Sequence, residues 1–258
     1  MKKVDLNSDL GESFGAYKIG CDEDVIRCVT SANIACGWHA GDPLVLDRTI
    51  ELAKNYGVSV GAHPGYPDLL GFGRRDIKVT PEEVYAYVLY QLGAFAAFAK
   101  KHGLEIQHVK AHGGMYNMAG KDLSLAAAIC RAIRDFDRQI ILLGLAGSKL
   151  IEGAEELGLR CASEVFADRA YEEDGSLVSR KKPGAMIQDE DEAVRRVVRM
   201  VKEGKVTAIN GKDISVRADS ICVHGDGAKA VAFASRIRET LQNENIAVVN
   251  FGSFIPQN

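Results

Sequence analysis

Long apolar runs are missing from this 258-residue chain, and their absence excludes one class of protein at the outset. No run approaches the roughly 20 residues that a membrane-spanning helix needs. The opening stretch MKKVDLNSDLGE turns polar and acidic where a secretory signal would need its apolar segment. No Pro/Ser-rich linker or low-complexity tract interrupts the remainder. We therefore expect a cytoplasmic protein that forms a single domain over residues 1–258.

Several motifs that identify enzyme classes are also absent. The dinucleotide fingerprint GxGxxG does not follow the first apolar run, and neither a GxSxG nucleophile elbow nor an HExxH zinc motif occurs. The two stretches nearest to a phosphate-binding Walker A loop, GSKL and GAKA, lack its first glycine and its final Ser or Thr. These absences weaken a Rossmann-type interpretation and leave no standard nucleotide-binding loop.

Paired cysteines and charge of a single sign are lacking as well. The six cysteines are scattered without a CxxC pair, so we expect reduced, mostly buried thiols rather than a zinc–thiolate site. The formal net charge is −3, with acidic and basic residues mixed along the chain. This distribution offers no basic patch for nucleic acid and no basic cluster for membrane lipids, so neither is predicted as a partner.

What the sequence does contain is a regular alternation of short apolar runs with longer segments of helical period. Strands are predicted at residues 3–8, 31–36, 58–63, 106–112, 140–145, 159–165 and 220–225. Helices are predicted at residues 22–30, 43–56, 81–102, 122–136, 147–157, 189–203 and 227–243. Strict alternation favours parallel strands joined by helical crossovers. Seven such units can form a closed barrel or an open doubly wound sheet, and the chain length favours an α/β barrel.

Two segments break this alternation. Residues 64–79 form a long loop rich in glycine and proline. Residues 168–188 contain EEDGSLVSR, whose Asp-Gly pair predicts a hairpin. Because both segments follow strands, we expect both to lie over the same rim of the barrel.

Polar residues cluster where the predicted strands end. In parallel α/β barrels the reacting groups lie at the carboxyl ends of the strands. Polar side chains mark every predicted strand end except the fifth: Asp5, Asn7, Asp9 and Glu12, then Asn33, His39 and Asp42, then His63, Lys110, His112, Glu164, Asp168, Arg169, His224 and Asp226. Inward-facing carboxylates are costly to bury without partners, so we predict one shared polar site.

Two kinds of chemistry fit these residues. The histidines of the set, together with Asp5 or Asp9, could hold a divalent metal and activate water. Alternatively, a carboxylate could act as general base without metal, while Lys110 or a protonated histidine holds an anion. Ser8 and Cys36 are formal nucleophiles, although a structural role is favoured for each.

The motifs DLNSDLGE, NIACGWHAGDP, GAHPGYPDLLGFGRR, VKAHGGMYN, EVFADRAY and VHGD together resemble the LamB/YcsF family, in the same order from residue 4 to about residue 250. The resemblance implies a seven-stranded parallel β/α barrel akin to the glycoside hydrolase/deacetylase superfamily. It also implies one component, the A subunit, of an ATP-dependent 5-oxoprolinase, which opens the lactam of 5-oxoproline to glutamate together with partner subunits B and C.

Carried over residue by residue, the resemblance implies two groups of site residues. Catalytic roles are implied for Asp5, Asp9, His63, Lys110, His112 and His224. Substrate-binding roles are implied for Asn7, Glu12, Asn33, His39, Arg74, Glu164, Asp168, Arg169 and Asp226. ATP is the expected co-substrate, bound mainly by the partner subunits, and the presence of a divalent metal is left open.

One stretch departs from the family pattern. The family reads KPHGALYN around the fourth strand, whereas this chain reads KAHGGMYN, with Ala111, Gly114 and Met115. Ala111 removes a fixed backbone angle and Gly114 adds conformational freedom. The departure therefore leaves the pitch of this loop and the substrate preference undetermined.

The residues and the resemblance together give one hypothesis and two alternatives. The hypothesis is that Asp9 or Asp5 orients or deprotonates water, that Lys110 and Arg74 bind anionic oxygens, and that a histidine shuttles protons or holds a metal. The first alternative is a stand-alone metal-dependent hydrolase that cleaves amide or N-acetyl groups. The second is a non-catalytic subunit that delivers a small acidic ligand to its partners.

Overall fold

Parallel strands form a closed ring at the centre of the molecule. A computed structural model describes residues 1–223 and 228–256 of the chain. Its strands are β1 (Lys2–Leu10), β2 (Ser31–Ala35), β3 (Ser59–His63), β4 (Ile106–Val109), β5 (Ile141–Leu145), β6 (Cys161–Phe166), β7 (Lys205–Thr207), β8 (Asp213–Ser215), β9 (Ser220–Cys222) and β10 (Ile246–Val248). Seven of them pair in the order β1-β2-β3-β4-β5-β6-β9, and β9 pairs again with β1. The predicted seven-stranded parallel barrel is confirmed.

The ring closes on β1, which pairs with three other strands. Its central residues Asp5–Asn7 pair with β9, and its last residues pair with β2. Its first residues, Lys2–Val4, pair with β10, which lies outside the ring of seven. Because β1 is nine residues long, different parts of it can pair with each of the three neighbouring strands.

Helices connect the strands and cover the outside of the barrel. They are α1 (Asp22–Val25), α2 (Pro43–Tyr56), α3 (Pro81–His102), α4 (Gly113–Ala119), α5 (Leu123–Phe136), α6 (Lys149–Glu156), α7 (Glu190–Glu203) and α8 (Ala228–Asn243). Local signals fix their ends: at α2 the Asp42 carboxylate caps the first turn and Gly57, with φ 66°, ends the helix. None of these helices, over the residues described, is both long and apolar enough to cross a bilayer.

The fourth strand is shorter than predicted, and a helix follows it that was not predicted. β4 ends at Val109 rather than at residue 112. The backbone amide of Lys110 still donates to the carbonyl oxygen of Ala62 in β3, and that of His112 donates to Pro64 just after β3, so the chain stays extended up to that point. Gly113, with φ 51°, then turns the chain into α4. At seven residues, α4 is too short to show a helical period in the sequence.

Other differences from prediction also concern short elements. The helix predicted at residues 22–30 is reduced to Asp22–Val25. Strands β7 and β8 form a small antiparallel hairpin, and β10 extends the sheet beyond β1. Each of these three strands has only three residues, so none shows the alternation that identifies a strand. The predicted hairpin at residues 168–188 is present as isolated antiparallel bridges, with Tyr171 opposite Leu177.

The segment after β10 fills the end of the barrel at which the strands begin. Phe251 is fully buried against Ile141 and Leu143 of β5, and its ring centre lies 5.0 Å from that of His108. The guanidinium of Arg160 donates to the carbonyl group of Ile255 at 3.1 Å and holds the segment in place. The interior is therefore closed at this end.

Replacing Phe251 with alanine should lower the free energy of unfolding by about 3–5 kcal/mol, because it removes a fully buried ring and leaves a cavity. The control is Leu70→Ala, since Leu70 is 98% exposed, and it should change stability by less than about 0.5 kcal/mol. Urea denaturation followed by circular dichroism measures both variants. Equal, small changes in the two would contradict the assigned role of Phe251.

Candidate active site

Asp5 is the deepest of the three polar side chains that alternate along β1. It is fully buried and accepts hydrogen bonds from Thr30 Oγ1 and Ser31 Oγ, each at 2.6 Å, and from Ser220 Oγ. Burial raises the pKa of Asp5 to about 6, and the three hydroxyl groups offset part of this effect. The predicted residue thus belongs to the inward-facing site but lies below its opening.

Above Asp5, a chain of amide and imidazole groups crosses the barrel. Asn33 Nδ2 donates to Asn7 Oδ1 at 2.8 Å, and Asn33 Oδ1 lies 2.7 Å from His108 Nε2. His108 was not among the predicted site residues. It lies two residues before Lys110, so the same period-2 alternation could have identified it. Burial lowers the pKa of His108 to about 3, so it is a neutral link in the network.

The ammonium group of Lys110 occupies the centre of the site. Its Nζ lies 3.0 Å from Asp9 Oδ1, 2.8 Å from Glu164 Oε1 and 3.3 Å from Asn7 Oδ1. Burial alone would lower the pKa of Lys110, but the neighbouring acidic groups outweigh it and raise that pKa well above normal. Tyr116, which was not predicted, donates to Glu164 Oε2 at 2.6 Å. A buried cation therefore balances two inward-facing carboxylates.

Asp9 differs from its partners in being accessible. Its side chain is 22% exposed, compared with 4% for Lys110 and 0% for Glu164. Burial would raise the pKa of Asp9, but its interactions with the His63 imidazole and the Lys110 ammonium hold that pKa well below its usual range. His63 Nε2 lies 3.4 Å from the second carboxylate oxygen of Asp9. Asp9 is thus an ionised carboxylate that faces the opening of the barrel.

A second cluster, formed by Glu12, His39, His63 and His112, lies beside Asp9. His63 Nε2 is 2.9 Å from His112 Nδ1, and Glu12 Oε1 is 3.3 Å from His39 Nε2 and 3.6 Å from His112 Nδ1. The rings of His39 and His112 stack with their centres 3.6 Å apart. All four residues are buried, and their ligand atoms lie within 4.8 Å of one another. Nitrogen and oxygen donors of this kind bind divalent transition metals in proteins.

Glycines in the 64–79 loop allow the backbone to lie directly against this cluster. A Cβ atom added at Gly65 would stand 2.7 Å from His39 Nδ1. One added at Gly73, whose φ is 61°, would stand 2.6 Å from His39 Cβ and 2.9 Å from His112 Cδ2. Phe72 between them accepts a hydrogen bond from His112 Nε2 through its carbonyl oxygen at 2.8 Å. Only glycine fits at these two positions, so the loop encloses the imidazoles.

Arg74 is an exposed cation of this loop. Its guanidinium lies 4.8 Å from the ring centre of Phe72, and the neighbouring Arg75 is paired with Asp68. Burial is the main cause that lowers the pKa of His112 to about 3, and the charge of Arg74 makes a small contribution in the same direction. Arg74 is therefore placed to meet an anion that approaches the opening.

The comparison with known proteins identifies the family of this chain. Residues 4–255 match the sequence model of the LamB/YcsF family. The chain belongs to the LamB/YcsF family. It is 62% identical to the A subunit of 5-oxoprolinase from Thermococcus onnurineus over 253 residues, which cover 98% of this chain and 99% of the relative. It is 61% identical to the protein of the same name from Clostridium beijerinckii over 249 residues, which cover 96% and 98%.

Solved structures agree with this LamB/YcsF assignment. The crystal structure of the lactam utilization protein from Thermus thermophilus superposes with a TM-score of 0.91 at 48% identity, covering 96% of this chain and 99% of that one. A family 4 carbohydrate esterase from Streptomyces lividans superposes with a TM-score of 0.52 at 12% identity, covering 96% and 91%. The second likeness shows a shared fold only.

The departure from the LamB/YcsF pattern at Gly114 has a direct structural consequence. The amide of Gly114 donates to the carbonyl oxygen of Gly73 at 2.7 Å. A Cβ atom at position 114 would stand 2.5 Å from the carbonyl oxygen of Arg75. Ala111 and Met115 on either side are buried in the core. Gly114 therefore lets the 64–79 loop approach α4 closely, and backbone contacts fix the pitch that the sequence left undetermined.

Several residues carried over from the LamB/YcsF pattern lie at the edge of this arrangement. Arg169 is buried and donates to the carbonyl oxygen of Val178 at 2.7 Å, so it holds the 168–188 hairpin together. Asp168 is half-buried after β6, and its charge acts on the Cys222 thiol beside Lys110. His224 and Asp226 lie outside the described residues.

Neither formal nucleophile is activated by its surroundings. Burial raises the pKa of the Cys36 thiol to about 12, and the thiol donates to the carbonyl oxygen of Ile34 at 3.5 Å. Ser8 Oγ is buried and has no hydrogen-bond partner within the described part of the chain. A nucleophile needs a low pKa or an adjacent base, so the structural role favoured for both residues agrees with their surroundings.

The raised pKa of Asp5 predicts how stability changes with pH. Above about pH 6 the buried charge destabilises the folded state, and as the pH falls the folded state takes up the proton before the unfolded state does. The quantity to follow is the unfolding free energy of the wild type minus that of Asp5→Asn. This difference should increase by about 2 kcal/mol when the pH is lowered from 7 to 4. Denaturant titrations across this range measure the difference.

Asp47→Asn is the control, for which the stability difference from the wild type should change with pH in the opposite direction. Asp47 lies at the surface, where hydrogen bonds from Lys101 and His102 lower its pKa. The wild type should lose stability relative to this variant as the pH falls. A gap between wild type and Asp5→Asn that does not change with pH would contradict the assignment.

Proposed function

We propose that this chain is the A subunit of a 5-oxoprolinase, a hydrolase that opens the lactam of 5-oxo-L-proline to L-glutamate with ATP hydrolysis, in complex with subunits B and C. The proposal is supported by relatives of about 60% identity over nearly the whole chain, which are named as the A subunit of 5-oxoprolinase. The name lactam utilization protein, carried by the Thermus thermophilus structure, points to the same class of substrate.

Opening this lactam requires that its carbonyl carbon be activated. A five-membered lactam is unstrained, its carbonyl is a weak electrophile, and its amine is a poor leaving group. Phosphorylation of the amide oxygen by ATP makes the carbon attackable by water. Water then adds, the C–N bond breaks as the amine takes a proton, and a second water hydrolyses the remaining acyl phosphate to release glutamate and phosphate.

The observation that carries the proposal is the position of Asp9. It is a partly exposed carboxylate, held in place by Lys110 at 3.0 Å and Asn33 at 2.9 Å, and it faces the opening of the barrel. A carboxylate in this position orients the attacking water and accepts its proton. We assign this role to Asp9 rather than Asp5, because Asp5 lies deeper and its oxygens are engaged by three hydroxyl groups.

Lys110 and Arg74 contribute positive charge in different ways. Lys110 is enclosed by groups of its own chain, so we assign it the role of fixing Asp9 and keeping the site electrically balanced. Arg74 is exposed beside the opening, and we assign it the binding of the carboxylate or phosphate oxygens of the reacting molecule. The imidazoles of His63 and His112 lie beside Asp9. Their role depends on whether a proton or a metal ion lies between His63 Nε2 and His112 Nδ1, which are 2.9 Å apart.

The partner subunits supply the nucleotide chemistry in this proposal. The chain carries no Walker A sequence, which supports an ATP site located mainly on subunits B and C. Both ATP and glutamate are used in the cytoplasm, and we place the complex there. Substrate activated on the partners would then reach Asp9 through the open end of the barrel.

Replacing Asp9 with asparagine should reduce glutamate formation by the reconstituted three-subunit complex by at least about 100-fold, because the general base is lost. The matched control is Asp47→Asn, a surface carboxylate on α2 that should leave the rate unchanged. Glutamate is measured from 5-oxoproline with and without ATP, and circular dichroism checks folding. Near-normal turnover by Asp9→Asn would exclude Asp9 as the base. Turnover without ATP or partners would instead indicate a stand-alone hydrolase.

Replacing Arg74 with alanine should raise the KM for 5-oxoproline in the same assay by about tenfold, because one charge-assisted hydrogen bond to an anion is lost. The kcat should change less than the KM. The control is Arg134→Ala, since Arg134 pairs with Asp135 on α5. An unchanged KM for Arg74→Ala would remove Arg74 from the substrate-binding residues.

A further inference from the structure

The hydrogen bonds of His63 and His112 determine where their protons lie. His63 Nδ1 is 2.7 Å from the carbonyl oxygen of Lys110, and His112 Nε2 is 2.8 Å from the carbonyl oxygen of Phe72. A carbonyl oxygen only accepts, so each of these ring nitrogens must carry a hydrogen. In the neutral rings the lone pairs are therefore on His63 Nε2 and His112 Nδ1.

These two lone pairs point at each other across 2.9 Å. Two unprotonated nitrogens at this distance repel each other unless a cation lies between or beside them. Glu12 Oε1 lies beside the same two nitrogens, 3.6 Å from His112 Nδ1. A single shared proton would engage only the two facing nitrogens, whereas a metal ion would also engage the Glu12 carboxylate. The His39 ring stacks parallel to the His112 ring, so its in-plane lone pair cannot meet that of His112 at one ion, and His39 Nε2 instead lies 3.3 Å from Glu12 Oε1, where it can hold the carboxylate.

We propose that Glu12, His63 and His112 bind one divalent transition-metal ion, for which zinc is the best match, and that His39 positions the Glu12 carboxylate. A tetrahedral zinc ion with bonds of about 2.0–2.1 Å places its ligand atoms about 3.3 Å apart. The separation is 2.9 Å between His63 and His112 and 3.6 Å between Glu12 and His112, and the ligand atoms of the whole cluster lie within 4.8 Å of one another. Two imidazole nitrogens and one carboxylate oxygen also disfavour calcium and magnesium, which prefer oxygen ligands.

The surroundings of the cluster match those of metal-binding histidines. Such a histidine usually donates its other ring N–H to a carbonyl or carboxylate, which fixes the ring and its tautomer. His63 and His112 both do so. Gly65 and Gly73 allow the 64–79 loop to cover His39, and the ligand atoms are buried. The proposal stands apart from the lactam chemistry, because it concerns the metal content of this chain by itself.

The first test uses the full-length wild-type chain, stripped with a chelator. Titration with Zn²⁺ should restore about one equivalent per chain by elemental analysis and raise the melting temperature, since an ion that binds the folded state stabilises it. Co²⁺ should give visible d–d bands without a thiolate charge-transfer band, which separates this cluster from the six free cysteines. Failure to bind one equivalent, or a thiolate band, would overturn the proposal and leave a shared proton between the rings.

The second test locates the ion. Glu12→Gln and His112→Asn should each weaken Zn²⁺ binding by more than about tenfold, because each removes a ligand. The control is His102→Ala, which breaks a histidine–carboxylate pair with Asp47 on the surface and should retain the ion. Circular dichroism checks the fold of every variant. Full binding in both cluster variants would place the ion elsewhere and overturn the assignment, whereas the wild-type titration stands if one variant fails to fold.

Discussion

The buried ammonium group of Lys110 is the interaction on which the rest of the site depends. Two carboxylates from different strands, Asp9 of β1 and Glu164 of β6, point into the same barrel interior. Without a cation between them, keeping both carboxylates charged and buried would be strongly unfavourable. Lys110 follows β4 and so joins three sides of the ring in one electrostatic contact. This contact also explains why Asp9 can stay ionised while only partly exposed to water.

The sequence predicted a polar barrel interior, but not how deep each side chain lies in it. Alternation along β1 placed Asp5 and Asp9 on one face, and the structure brings both into the barrel. Their environments differ because Asp5 lies opposite Ser220 of β9, whereas Asp9 lies four residues further along β1, opposite Asn33 of β2. That difference depends on register with β2 and β9, which a single sequence does not contain. His108 was not predicted because only residues at or after the strand ends were considered, and His108 lies within β4.

Tertiary contacts also decide the parts of the fold that local patterns left open. The 64–79 loop was predicted to lie over the rim. It can approach the imidazoles closely because Gly65 and Gly73 have no Cβ atom that would clash with His39. A sequence does not show this, because it does not show that His39 lies opposite these two glycines. Strand β10 is recognisable only by its partner, since three residues carry no period of their own. The network around Lys110 and the imidazole cluster share β1, so a shift of that strand would alter both.

The closure of the ring on β1 also bears on how the chain is made. Asp5 and its partner Ser220 are 215 residues apart in sequence. β1 leaves the ribosome before any other strand, yet one of its two ring neighbours is synthesised after all the other strands of the ring. During synthesis β1 therefore keeps an unpaired edge, and Asp5 lacks one of its three hydroxyl partners. The polar interior gains its full set of hydrogen bonds only after translation has passed β9.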